Sequence, residues 1–91
     1  MERNTKLAKE ILDIIIAEDN GGGGLYRDEI HGVFEERYRS HPSHYDHVEY
    51  HLHLLETGGL VRLTRDDSDR EKDNFDMTWA GHDFVQFGPA N

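Results

Sequence analysis

The chain has no cysteine among its 91 residues, which removes disulfides, thiolate metal sites and thiol catalysis from consideration. Long apolar runs are missing as well. Nothing approaches the roughly 20 consecutive apolar residues of a membrane span, so no membrane partner and a soluble, cytoplasmic protein are expected. At this length a single domain over residues 1–91 is expected, near the lower limit for a core that needs neither metal nor disulfide. Basic residues are scarce, 10 Lys and Arg against 19 Asp and Glu, and the formal net charge is −9. Nonspecific nucleic-acid binding rests on Lys and Arg displacing counterions, so this balance argues against a general affinity for polyphosphate. Divided at its breaks, the chain has no net basic segment, and between Ser43 and Gly59 there is no Lys or Arg at all. An acidic surface of this kind serves solubility, and it also suits docking on a basic partner.

What is present is a series of amphipathic elements. Leu7, Ile11, Ile14 and Ile15 fall at i, i+4, i+7 and i+8, a helix stripe that starts behind Asn4 or Thr5 and ends near Asp19. Leu12 and Ile16 widen that stripe, to be covered either by a later helix or by a dimer partner, so monomer and homodimer both stand. Asn20 and the run Gly21 to Gly24 read as a flexible connector. The run lacks the Lys-Ser/Thr ending and the preceding strand of a phosphate-binding loop. A second helix is expected from Arg27 to Tyr38, with Ile30, Val33, Phe34 and Tyr38 facing the core. Gly32 inside it costs about 1 kcal/mol relative to Ala, which a close helix crossing would explain.

His41-Pro42 breaks the pattern, and Ser43 with Asp46 three residues on makes a capping-box-like start for a third helix. Tyr45, Val48, Leu52 and Leu55 form its expected inner stripe, and Gly58-Gly59 supply its stop. Residues 60–64 and 74–77 alternate apolar and polar, as half-buried strands do, around the charged turn 65–73. Thr78 caps a last helix, in which Trp79, Phe84, Val85 and Phe87 offer the bulk to close a small core. The expected fold class is α+β, a winged helix-turn-helix with three N-terminal helices, a two-stranded β-hairpin wing and a C-terminal helix.

Tyr50-His51-Leu52-His53-Leu54-Leu55 followed by Gly59-Leu60, then Leu63-Thr64 and Thr78-Trp79-Ala80-Gly81-His82-Asp83-Phe84, resemble a family of short phage- and prophage-associated proteins of unknown function. The resemblance covers the third helix to the end of the chain and the first helix loosely. It implies a winged-helix-like fold and a mobile-element origin, with no established activity. The chain departs from the pattern in its Gly21 to Gly24 run and in its acidic, histidine-rich third helix. The motif residues are mostly those of core and turns, so the resemblance is more specific for fold than for function.

At 100° per residue, Asp46, Glu49, Tyr50 and His53 fall on the outer face of the third helix, with Glu56 beyond them. A recognition helix needs Arg, Lys, Asn or Gln to reach base edges, and Asp46 and Glu49 would be repelled by the flanking phosphates. This is therefore read as an acidic, partner-facing surface. The wing carries Arg62, Arg65, Arg70 and Lys72 for backbone contacts, but Asp66, Asp67 and Asp69 stand among them.

His44, His47 and His51 share one flank of the third helix. The i, i+4 spacing of His47 and His51 suits two imidazoles on one metal, with His41 as a further ligand. No Cys or carboxylate pair completes the set, so they are read as boundary histidines and no metal or cofactor is assigned. His82 has no nucleophile beside it and is expected to be partly buried, tying the last helix to the hairpin. The carboxylates Asp66, Asp67, Asp69, Glu71, Asp73 and Asp76 lack the glycine and glutamate positions of a calcium loop. With seven histidines in an acidic chain, charge is expected to shift between about pH 5 and 7.

No catalytic residue emerges. The expectation is a non-enzymatic protein, derived from a phage or mobile element, that acts by protein contact. Its partner would be a basic, nucleic-acid-binding host factor, inhibited by an acidic surface that mimics nucleic-acid charge. The alternative is a DNA-binding transcription regulator.

Overall fold

The first helical stripe begins where its cap allows. The Asn4 carboxamide oxygen accepts the Leu7 amide at 3.1 Å, satisfying one of the free donors at a helix start. This is seen in a computed structural model that describes residues 1–19, 21–38 and 44–88. The chain runs α1 (Thr5–Glu18), β1 (Leu25–Tyr26), α2 (Arg27–Tyr38), α3 (His44–Thr57), β2 (Val61–Thr64), a 3-10 turn (Arg70–Lys72), β3 (Asn74–Met77) and α4 (Trp79–Phe87). Among the described residues the fold is α+β, with four helices and one three-stranded antiparallel sheet in the order β1-β3-β2. Among the described residues no helix is long and apolar enough to cross a membrane.

The core forms around α1, which packs against α2, α3, α4 and β3. Ile11, Leu12, Ile14 and Ile15 are fully buried there, each worth roughly 1.5–3 kcal/mol of transfer free energy. Leu12 is therefore covered by the chain's own elements, and only Ile16 of the widened stripe remains partly exposed. From α2 come Ile30 and Phe34, with Val33 and Tyr38 half-buried beside them. Gly32 is exposed and an added Cβ there would meet open space, so the expected close crossing is not what holds glycine at this position.

The Gly21 to Gly24 run, expected as a flexible connector, is tied down by hydrogen bonds. The Asp19 carboxylate accepts the amides of Gly21 (3.2 Å), Gly22 (2.8 Å) and Gly24 (2.8 Å), and the Asn74 side chain donates to the Gly23 carbonyl (2.6 Å). Gly24 has φ +90°, and a Cβ there would overlap the Phe75 carbonyl. That close approach lets Leu25 and Tyr26 pair with Phe75 and Asn74. The expected two-stranded hairpin thus becomes a three-stranded sheet. A strand of two residues is too short to show alternation, which is why the pattern did not reveal it.

In α3 the buried residues are Val48, His51, Leu52 and Leu55. Tyr45, expected inside, is 47% exposed and stacks instead on His31, with ring centroids 4.1 Å apart. His51 occupies the inner position because both ring nitrogens are satisfied: Nδ1–H donates to the His47 carbonyl (2.7 Å) and Nε2 accepts the Asn4 amide (2.9 Å). The expected cap at Ser43 and break at His41-Pro42 lie outside the described residues. At its C-terminus α3 closes with Leu60 N–H on the Leu55 carbonyl and Gly59 N–H on that of Glu56. These two bonds make a Schellman cap, in which Gly59 takes φ +78°.

β2 and β3 pair in the register Val61↔Met77 and Leu63↔Phe75. The Thr78 hydroxyl accepts the Gly81 amide (3.0 Å) and donates to the Gly59 carbonyl (2.8 Å), so one side chain caps α4 and ties it to the end of α3. Gly81 is buried, and a Cβ there would overlap the Leu60 carbonyl. Only a glycine lets α4 rest this closely on the α3–β2 junction. Trp79 and Phe87, expected to close the core, are 85% and 74% exposed. Gly81, Phe84 and Val85 make up the inward face of α4, and at 100° per residue Trp79 and Phe87 fall on the other side.

Candidate functional site

Arg27 is the first residue of α2 and is 6% exposed. A buried guanidinium must use its donors or lose stability, and Arg27 uses all three nitrogens. Nη1 donates to both Glu49 oxygens (2.7 and 2.9 Å), Nη2 to Asp73 (2.9 Å), and Nε to the Arg70 carbonyl (3.3 Å). Its Cζ lies over the Phe75 ring, 4.9 Å from the centroid. Glu49, on α3, also receives Arg70 and, at 2.6 Å, His31 Nε2. With His31 as its Nε2–H tautomer, two guanidinium and two carboxylate charges balance. Burial pushes the Glu49 carboxyl up, but hydrogen bonds from His31, Arg27 and Arg70 outweigh it and hold the group below the ordinary carboxylate range. Asp73 is held low by the Asp66 amide first and by Arg27 second, against burial.

This cluster joins α2, α3 and the hairpin loop. The loop's aspartates fix its turns: Asp66 accepts the Ser68 and Asp69 amides (2.9 Å each), Asp69 accepts Glu71 (3.0 Å), and Asp73 accepts Asp66 (2.9 Å). They are turn-makers, each turned onto its own backbone. On the other flank Lys72 reaches Asp28 at 3.0 Å and lies over the Tyr26 ring. Two of the four loop cations are therefore engaged within the chain. Arg62 and Arg65 are exposed, with Asp66, Asp67 and Asp69 exposed near them in sequence.

The expected acidic face of α3 is brought together only in part. Asp46 and His53 are exposed, and Tyr50 and Glu56 are half-buried. Glu49 is a correction: its side chain is 15% exposed and turned into the cluster. Arg70 and Lys72 are likewise anchors of the loop. Sequence reasoning missed Arg27, His31 and Asp73 as the centre of this seam. An Arg directly after an apolar pair was the available local hint, while its partners lie 22 and 46 residues away.

The described histidines do not converge. His51 has both nitrogens engaged, which removes the His47–His51 pair, and His44 meets Phe34 edge-on at 5.4 Å. Among the described residues no group of three or more His, Asp or Glu is placed to hold a metal ion, and His41 lies outside them. His82 is exposed rather than partly buried, and the side chain that ties α4 down is that of Thr78, which bonds Gly59 at the end of α3.

Two of the surface hollows bear on these elements. One of about 190 Å³ beside the cluster is lined by Arg27, Glu49, His53, Glu56, Arg65 and Arg70; its mixed charges give no field of one sign. The other, about 270 Å³ and mainly apolar, lies between α1, the end of α3 and α4. No family model, curated protein or solved structure matches the chain.

Proposed function

We propose that the chain is a non-enzymatic winged helix-turn-helix protein of phage or mobile-element origin, working in the cytoplasm by protein contact. The order α1-β1-α2-α3-β2-β3 with the sheet β1-β3-β2 supports the winged-helix reading. In it α3 stands where a recognition helix would, and the loop between β2 and β3 is the wing.

The observation that carries the functional reading is the engagement of the wing's cations. Arg70 and Lys72 are turned back onto Glu49 and Asp28, so reaching phosphate would mean breaking pairs that hold the wing to α3 and α2. What faces outward is Asp46 and His53 on α3, with half-buried Tyr50 and Glu56 beside them and Asp67 on the wing. This surface suits a basic partner, such as the nucleic-acid-binding face of a host factor, which it would block by charge mimicry. The test is capture of host proteins by the tagged chain beside an Asp46→Lys, Glu56→Lys variant. A partner retained only by the wild type is expected; one held equally by both overturns this surface.

The second reading is a DNA-binding regulator, favoured by exposed Arg62 and Arg65 on the wing. It predicts duplex binding that falls steeply with salt, with a slope of about −0.9 per phosphate contacted. The expected result by fluorescence anisotropy is no binding at low salt, at pH 7.5 or near pH 6. Salt-sensitive binding would put the regulator first.

A further inference from the structure

We infer that two copies of this chain pair through the outer face of α4, with Trp79 and Phe87 as anchors. This goes beyond the α3 reading and does not rest on it. Trp79 and Phe87 are 85% and 74% exposed, more than any other large apolar side chain among the described residues. Their helix also carries little charge. Residues 77–91 contain one formally charged side chain, Asp83, against 28 in the preceding 76 residues.

That contrast selects the occupant. A basic partner has acids to grip on α3 and none but Asp83 here. A lipid surface favours an apolar face rimmed by Lys and Arg, and α4 has neither. Two copies at net charge −9 repel wherever acid meets acid, so their least opposed meeting is along α4. A face of this composition is also self-complementary under a two-fold axis.

Area decides how the copies must sit. Two exposed aromatics bring roughly 150–250 Å² each, while a stable interface needs about 800 Å² per partner, so α4 against α4 alone is too small. The neighbouring groove, about 270 Å³ in volume, is an adjoining surface that the second copy also covers. It is lined by Ala8, Leu54, Leu55, Leu60 and Phe84, with Arg3 among the lining residues, and it adjoins α4 at Phe84. The partner's Trp79 enters this groove. Asp83, exposed and one helical turn from Trp79, then comes to Arg3, and the two-fold makes the contact twice.

Sedimentation velocity over a wide concentration range tests this, read together with the emission of Trp79, the single tryptophan of the chain. The expected result is a shift from monomer to dimer mass, with emission moving to the blue in step. Trp79→Ser, followed by mass, and Phe87→Ala, followed by mass and emission, should weaken association about tenfold or more. Circular dichroism should stay unchanged, because both side chains lie outside the core. Arg3→Glu should weaken pairing and Arg3→Glu with Asp83→Arg should restore it. A monomer at every concentration with water-exposed emission overturns the inference, as does a dimer that survives both aromatic substitutions. An Arg3→Glu variant that pairs like the wild type overturns the seating in the groove.

Discussion

The seam between α2, α3 and the β2–β3 loop and the outer face of α4 differ in opposite directions from what their side chains suggest. The seam is built from Arg, Glu, Asp and His, residue types that usually face water, and it is largely closed: Arg27 and Asp73 are 6% and 3% exposed. The α4 face carries Trp and Phe, types that usually build cores, and leaves them in solvent. Position in the fold decides both. Arg27 begins α2 beneath the β2–β3 loop, where only a complete set of acceptors makes burial tolerable. Trp79 begins a helix whose inward side is already taken by Gly81, Phe84 and Val85. The charged region is therefore a structural joint, and the apolar region is the one with unmet contacts.

Arg27→Ala should break that contrast most severely. It leaves Glu49 and Asp73 without their buried counter-ion, a loss of about 3–5 kcal/mol from the roughly 5–15 kcal/mol typical of a domain. Urea unfolding of the variant is the check. Arg27→Lys should recover little, because one ammonium cannot span two carboxylates and a carbonyl as the guanidinium fork does. A midpoint near the wild type in either variant would mean that the seam is held elsewhere.

Gly81→Ala probes the other region, through its seat. The new methyl would strike the Leu60 carbonyl, and since that atom belongs to the backbone, α4 has to move. A loss of about 1–3 kcal/mol is expected, with a changed near-ultraviolet signal from Trp79 at the start of the helix. If stability and signal both stay put, α4 is not held by this close approach.

These two positions also show what the chain discloses by itself. The α1 stripe, the α2 span, the glycine stop after α3, both hairpin strands and the Thr78 cap were legible, because each is a local pattern of period, cap or turn. The seam was not. Arg27, Glu49 and Asp73 become neighbours only when β1 pairs with β3, and β1 is two residues long. Nor could the fate of Trp79 be read, since apolar content says that a residue favours burial and not that a partner surface exists. His51, expected at the boundary, is buried and Tyr45, expected inside, is exposed for a related reason: the hydrogen bond that admits His51 to the core comes from Asn4, 47 residues away.

Acid should loosen the seam in a defined direction. Glu49 and Asp73 are both held below their ordinary values, so the unfolded chain takes up protons more readily than the folded one. Their contribution is complete above the unfolded values of about 4 and is lost as pH falls through the lower folded values. The thermal midpoint should therefore be little changed by these groups above about pH 5 and should drop below about pH 4. Glu49→Gln should start lower and lose less over the same interval. An unchanged acid slope in that variant would separate Glu49 from the pH response.

The smallest effect on stability should come from Trp79→Ser. Replacing a core tryptophan costs about 3–5 kcal/mol, but this one is 85% exposed, so its removal should change unfolding of the isolated chain by no more than about 0.5 kcal/mol. The measurement has to be made at low concentration. If copies pair through α4, binding adds stability by mass action, and the wild type should then gain in thermal midpoint with concentration while the variant does not. Two curves that coincide at low concentration and part at high concentration place the role of Trp79 between molecules. A loss of several kcal/mol in dilute solution would place it inside one, and the two regions would then no longer differ in kind.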